Sequence, residues 1–173
     1  MGSLHPAIIH IPIGLLILYS GIELFLFLFP RYTAKLALGK YIMILFGVLG
    51  GFLSLSSGEG LEHLKKFNHN LVEIHSFFAT ATVWLYGIIL FALSMPYLHA
   101  WKPYTLFIQK SSFLKKIHAL LMALSTLLTN RLMLVFLAIV GAILLTFTGT
   151  LGGAIAHGPE TDVITSAVYS LFF

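Results

Sequence analysis

Apolar residues are grouped along this chain in four long runs, and polar residues fall mainly between the runs. The runs cover residues 7–29, 41–57, 71–95 and 132–156. Since about 20 mostly apolar residues suffice for a helix to cross a bilayer, the pattern predicts an all-α integral membrane protein with four spans. We expect the four helices to form an up-down bundle in which each helix is antiparallel to the next.

A fifth apolar stretch lies between the third and fourth spans, but lysine residues interrupt it. Its uninterrupted part is too short to cross a bilayer at about 1.5 Å per residue. Residues 112–128 therefore predict an extra helix that lies at the membrane interface, and a fifth span is the less favoured alternative. We interpret residues 1–173 as a single membrane domain with a C-terminal tail, 159–173, whose apolar residues suit contact with lipid or a partner.

The composition agrees with this class of protein and excludes several kinds of site. The chain is 58% hydrophobic and only 9% charged, whereas soluble domains are about 25% charged. It contains no cysteine, which excludes disulfides, thiolate metal sites and covalent attachment of c-type haem. Its basic residues fit membrane topology, so nucleic-acid binding is not indicated.

The distribution of the charges predicts how the spans are oriented. Eight of the ten Lys and Arg residues fall on one side: Arg31, Lys35, Lys40, Lys102, Lys110, Lys115, Lys116 and Arg131. Only Lys65 and Lys66 fall on the other side. Because loops rich in Lys and Arg stay in the cytoplasm, we expect both termini on the periplasmic side of a bacterial inner membrane.

Histidine is unusually frequent, since eight His residues outnumber six acidic residues. Four of them are predicted to be ordinary solvated loop or interface residues: His63, His69, His99 and His118. His10 and His75 differ because each lies three or four residues inside its span. Spans one and three are diagonal in a sequential bundle, so these two imidazoles could face each other, as the axial ligands of a b-type haem do.

Other residues near this end of the spans extend the candidate site. Gly14 and Gly21 lie close to His10 on a helical wheel, where they could leave room for a haem or let helices pack closely. His5 and His157 form a shallower layer that could bind a second haem or a metal ion, bond to haem propionates, or simply flank their helices. Neutral imidazoles also bind Cu and Zn.

Glu23 is the only acidic residue that is predicted to be buried within a span. An ionisable residue at that depth is a functional candidate by default. It could relay protons from the inner side of the membrane, or it could bond to a backbone group or a neighbouring subunit.

Three segments of the chain resemble the motifs of a bacterial family of four-helix membrane proteins of unknown function. These segments are LHPAIIHIPIGLL at Leu4–Leu16, HNLVEIHSFFA at His69–Ala79 and TGTLGGAIAHG at Thr148–Gly158. The family's motif histidines correspond to His5, His10, His75 and His157. One departure is Ala156, because the family's closing motif usually carries a Tyr shortly before its His-Gly pair.

This resemblance implies electron transfer on the periplasmic side, since members of the family occur beside or fused to c-type cytochrome domains. The predicted architecture is also similar to that of small b-type cytochromes. We therefore expect a cytochrome b subunit with one or two haem b groups, held by His10 and His75. It would exchange electrons with quinone, a c-type cytochrome or other subunits of a respiratory or photosynthetic complex.

Two other functions are compatible with the same residues. The first is a structural or accessory subunit of a membrane complex that binds no cofactor of its own. The second is a membrane protein that binds Cu or Zn directly through histidines. The sequence indicates an electron-transfer subunit rather than a stand-alone enzyme, and it contains no Ser/His/Asp arrangement or phosphate-binding glycine loop.

Overall fold

The computed structural model describes the backbone of residues 5–62 and 68–173 and the side chains of residues 9–58 and 68–173. The described residues form helices and connecting turns, with no strand among them. The helices are α1 (His5–Leu28), α2 (Thr33–Glu62), α3 (His69–Ala100), α4 (Lys102–Gln109), α5 (Ser112–Leu128), α6 (Arg131–His157) and α7 (Val163–Tyr169). A short 3₁₀ turn, Pro30–Tyr32, joins α1 to α2.

Four of these helices are long and apolar enough to cross a membrane. The candidate spans are Ile9–Leu28, Pro30–Gly58, His69–Ala100 and Arg131–His157. This confirms the prediction of an all-α protein with several membrane spans. The predicted interfacial helix coincides with α5, which has the same bounds of 112 and 128.

The four long helices pack in pairs around one core. Helix α1 contacts α2 and α6, and α3 also contacts α2 and α6. Side chains from all four helices meet in the core: Leu16, Tyr19, Ile44, Val48, Tyr86, Ile89, Leu134 and Leu145. Arg131, the first residue of α6, bonds to the Phe27 carbonyl near the end of α1. We call the end of the helices that contains Arg31 and Arg131 the basic end.

Helix α2 begins eight residues earlier than the predicted span, and this changes the role of one lysine. The sequence pattern places Lys40 in a loop, because a lysine is costly inside an apolar helix. The helix instead begins at Thr33 and includes Lys40, whose ammonium group donates to the Glu23 carboxylate at 2.7 Å. The helix can continue through Lys40 because its charge has a partner on α1.

Helix α3 continues past a proline at which the predicted span stops. Pro96 lies inside the helix, which ends at Ala100. A proline has no N–H, so it leaves the carbonyl four residues earlier, that of Ala92, without its helical partner. The Ser125 hydroxyl of α5 donates to this carbonyl at 2.7 Å. Both residues are buried, so α5 is held against α3 at the point where the proline frees an acceptor.

The substitution Ser125→Ala should therefore lower the free energy of unfolding by about 1–3 kcal/mol, the usual cost of a buried polar group without a partner. Thr126→Ala is a matched control, because the Thr126 hydroxyl is exposed and bonds within its own helix. Unfolding in mixed detergent micelles, followed by circular dichroism, measures both. In a Pro96→Ala background the effect of Ser125→Ala should shrink, because residue 96 regains its N–H; an unchanged effect would contradict this explanation.

The C-terminal tail folds back onto the opposite end of the bundle. Asp162 caps α7 by accepting the backbone N–H groups of Ile164 and Thr165 and the Thr165 hydroxyl. These bonds, above all the one from the Thr165 N–H, lower the pKa of the Asp162 carboxyl. Val168 is buried in a cluster with Leu71, Leu151 and Ala154. The tail that was expected to contact lipid or a partner thus packs in part against its own chain.

Candidate functional site

His75 lies on α3 and points towards α6. Its Nδ1 atom is 3.0 Å from the backbone carbonyl oxygen of Thr148. Gly152 lies one turn further along α6, and a Cβ at that position would be only 3.1 Å from Cε1 of His75. Because Gly152 has no side chain, the half-buried imidazole ring can lie directly against α6.

The bond to Thr148 determines which nitrogen of His75 carries the proton. A carbonyl oxygen only accepts hydrogen bonds, so Nδ1 must be the donor. In a neutral imidazole the other nitrogen, Nε2, then has the lone pair. Histidines that bind metals typically have this arrangement, in which the second ring nitrogen donates to a carbonyl or carboxylate.

His10 lies on the outward face of α1. Its side chain is exposed, as are Gly14 and Gly21 on the same face, while Pro12 and Leu16 are buried. A Cβ on Gly14 or Gly21 would meet nothing within 4 Å. The described contacts do not bring His10 to His75, and these two glycines do not line the interior of the bundle.

Beside the glycines that face the interior, neighbouring side chains already occupy the space that a Cβ would take. The pairs are Gly47 with Leu16, Gly50 with Pro12, Gly51 with Val83, Gly141 with Tyr86 and Gly152 with His75. Close helix packing, the alternative explanation of small residues in membrane helices, is what these five glycines provide.

The remaining histidines at this end of the helices do not form a described cluster. His157 is the last residue of α6 and is exposed. His69 is exposed at the start of α3. The side chain of His5 and the whole of His63 lie outside the described residues. Among the side chains of residues 9–58 and 68–173, no three His, Asp or Glu residues are grouped closely enough to hold a metal ion.

Glu23 is not isolated, because it forms a buried ion pair with Lys40. The distance between Lys40 Nζ and Glu23 Oε1 is 2.7 Å, and the two side chains are 11% and 5% exposed. The sequence pattern identifies Glu23 as a candidate, but Lys40 enters it only as one of the basic residues that predict the orientation of the spans. The position of Lys40 could have indicated this pair. Lys40 lies immediately before an apolar run, so a helix that begins a few residues earlier includes it and can turn its side chain towards the interior of the bundle.

A second unexpected group lies at the basic end. His99 Nδ1 is 3.0 Å from His118 Nε2, and the Tyr104 hydroxyl is 3.2 Å from His118 Nδ1. The sequence predicts both histidines to be ordinary solvated loop or interface residues and does not predict their contact. Because α5 packs against the last turns of α3, it brings His118 to His99, and the three side chains link α3, α4 and α5.

Comparison with protein families, curated proteins and solved structures finds no match to this chain. The resemblance described from the three motifs therefore stays a prediction.

Proposed function

We propose that this protein is a membrane-embedded b-type cytochrome subunit that transfers electrons, with His75 as an axial ligand of the haem iron. One observation carries the proposal: the Nδ1 of His75 donates to the Thr148 carbonyl at 3.0 Å. This bond orients the ring and, in a neutral imidazole, puts the lone pair on Nε2, as in histidines that bind metals. The four spans would form an up-down bundle with both termini periplasmic, as the distribution of Lys and Arg indicates.

His75 offers a nitrogen donor that suits haem iron, but the packed interior of the bundle does not accommodate the haem itself. The imidazole has the hydrogen-bonding arrangement of a ligand, yet the interior glycines are filled by Leu16, Pro12, Val83 and Tyr86. A haem between α1 and α3 in the middle of the bundle does not fit this packing. The proposal therefore requires a site nearer the helix ends, where His75 would hold the haem. His10, which faces outward from α1, and His5 and His157 are the candidates for the other ligands.

Within this proposal the haem supplies one-electron redox chemistry, and the protein supplies its ligand and its position in the bilayer. Quinone is the candidate donor or acceptor within the membrane. A c-type cytochrome or another subunit of a larger redox complex is the candidate on the periplasmic side.

An optical spectrum of the purified protein tests the proposal. Protein made in a haem-replete host should show a Soret band that shifts on reduction, and pyridine haemochrome analysis should identify haem b. His75→Ala should remove at least nine-tenths of the bound haem, because an axial ligand is lost. His99→Ala is the matched control, since it removes a histidine at the basic end, and it should leave the spectrum unchanged. A wild-type protein without a Soret band would refute the proposal.

The close packing of side chains against the interior glycines favours a second candidate function, that of a structural or accessory subunit without a cofactor. In this case His75 serves to join α3 to α6 through the Thr148 carbonyl. The same preparation separates the two functions, because a cofactor-free subunit would contain no haem, and His75→Ala would reduce its stability only. Elemental analysis that finds Cu or Zn in place of iron would point instead to a directly His-ligated metal.

A further inference from the structure

Helix α5 has an exposed apolar face in addition to the face that packs against α3. On the packed face, Ser125 is buried and bonds to the Ala92 carbonyl, and His118 is half-buried and contacts His99. Five large apolar side chains of α5 are exposed instead: Phe113, Ile117, Leu120, Leu124 and Leu127. They are spaced alternately by four and three residues, which places them in one line on a helix with about 3.6 residues per turn. We call these five residues the apolar stripe.

Lysine residues border the apolar stripe. Lys116 is exposed, and at about 100° per residue it lies directly opposite Ser125 and within about 60° of Phe113 and Leu120. Lys115 is exposed on the same helix. Lys102 begins α4 and Lys110 follows its last residue, and both side chains are exposed. Helices α4 and α5 therefore combine an apolar surface with four cations, which is the composition of helices that lie at a membrane interface.

The segment that carries these lysines contains no acidic residue. The sequence has none between Glu73, near the start of α3, and Glu160, which follows α6. Glu23, near the end of α1, is buried and bonded to Lys40. Three further exposed cations lie at the basic end: Arg31, Lys35 and Arg131. This density of positive charge attracts a partner that is rich in negative charge.

The contacts of α5 place the lysines near the end of a membrane span. His118 of α5 contacts His99 in the last turn of α3, and α3 is a candidate span. Lys115 and Lys116 lie within one turn of His118. Trp101 follows α3 directly and is 59% exposed, and tryptophan is enriched where the bilayer meets water. The lysines therefore lie at the depth at which acyl chains give way to headgroups.

We propose that the apolar stripe and the lysines of α4 and α5 bind anionic phospholipids of the leaflet at the basic end. The acyl chains cover the apolar stripe, and the ammonium groups donate to the lipid phosphates. The donors are Lys102, Lys110, Lys115 and Lys116. A lipid satisfies both parts of the surface at once, whereas an acidic water-soluble protein matches the lysines alone. This interaction goes beyond the proposed electron transfer and does not depend on it, because the surface contains no candidate haem ligand.

The two tryptophan residues of the chain allow lipid binding to be measured at two places. Trp101 lies beside Lys102, whereas Trp84 lies in the middle of α3 and is similarly exposed, at 58%. The variants Trp84→Phe and Trp101→Phe each retain one tryptophan. They are reconstituted into vesicles of phosphatidylcholine and phosphatidylglycerol in which one of the two lipids is brominated, because a brominated lipid quenches the fluorescence of a tryptophan beside it.

We expect Trp101 to prefer phosphatidylglycerol about five-fold, the effect of about one lysine near an anionic lipid. Trp84 is the matched control and should show no preference, since it lies away from the lysines. Replacement of the four lysines by glutamine should remove the preference at Trp101, and replacement by arginine, which keeps the charges, should retain it. If the glutamine variant does not fold, 1 M NaCl replaces it, because the Debye length is then about 3 Å, and the preference should disappear.

Equal quenching of Trp101 by the two brominated lipids would overturn the proposal and would favour an acidic protein as the partner. A preference as large at Trp84, a loss in the arginine variant as large as in the glutamine variant, or a preference that persists in 1 M NaCl would overturn it as well. A bound haem quenches both samples alike, so the ratio between the two lipids is independent of haem. A failed haem assay therefore leaves this test intact.

Discussion

Gly141→Ala should lower the free energy of unfolding by about 1–3 kcal/mol, the range observed when an extra methyl group is forced into a packed core. A Cβ at residue 141 would lie 2.6 Å from both Cζ and Oη of Tyr86. Tyr86 is fully buried and its hydroxyl is bonded to Ser20. The ring is rigid, so it can make room only by shifting as a whole and straining the bond that joins α3 to α1.

Gly149→Ala on the same helix is the matched control for this prediction. Gly149 is exposed, and a Cβ there would meet nothing within 4 Å. This substitution should be neutral or should stabilise the helix by up to about 1 kcal/mol, since alanine favours helix more than glycine does. Unfolding in mixed detergent micelles compares the two variants.

A double substitution separates the steric cause from a general intolerance of residue 141. In a Tyr86→Leu background the clash partner is gone, so Gly141→Ala should cost much less than it does in the wild-type background. An equal cost in both backgrounds would show that Tyr86 is not what Gly141 accommodates.

Lys40→Met should lower the free energy of unfolding by about 3–5 kcal/mol, the usual effect of removing one partner of a buried ion pair. The reason is that Glu23, only 5% exposed, would be left without its cation. Lys35→Met is the matched control, because it removes the same charge from the same segment while Lys35 itself is exposed and lies over a tyrosine ring. Its effect should stay below about 1 kcal/mol, as for other exposed charges.

The double variant Glu23→Leu/Lys40→Met should recover most of the lost stability, because two apolar side chains of similar volume replace a buried pair at little net cost. A double variant as unstable as Lys40→Met would contradict the ion-pair explanation.

The positions of the helices could be predicted closely from the sequence. Apolar runs of sufficient length had to become spanning helices, because a backbone in lipid must satisfy its own hydrogen bonds. Two of the boundary errors, at the start of α2 and at the end of α3, have a chemical cause, and the sequence pattern did not predict α4 or α7. Taken alone, Lys40 and Pro96 each predict a helix boundary. Each is accommodated inside a helix by a partner distant in sequence, Glu23 for the lysine and Ser125 for the carbonyl that the proline frees.

The candidate site was predictable only in part. His75 and Glu23 stood out because polar side chains inside apolar runs are rare. The expected pairing of His10 with His75 depends on the rotation of α1 about its axis. In the structure, the outward face of α1 carries His10, Gly14 and Gly21. Ser20 and Tyr86 gave no signal in the sequence, since single hydroxyl groups are common in membrane helices.

By itself the sequence determined that this is an all-helical protein with four apolar spans, and it determined which residues carry scarce polar chemistry. Only the tertiary structure decided which of these residues meet: Glu23 with Lys40, His75 with the Thr148 carbonyl, and Ser20 with Tyr86. The physical reason is that a span is apolar on nearly every side, so it lacks the polar face that sets the rotation of a helix in a soluble protein. The rotation of each helix about its axis, and with it the partner of every buried polar group, comes from the packing of small residues and buried hydrogen bonds.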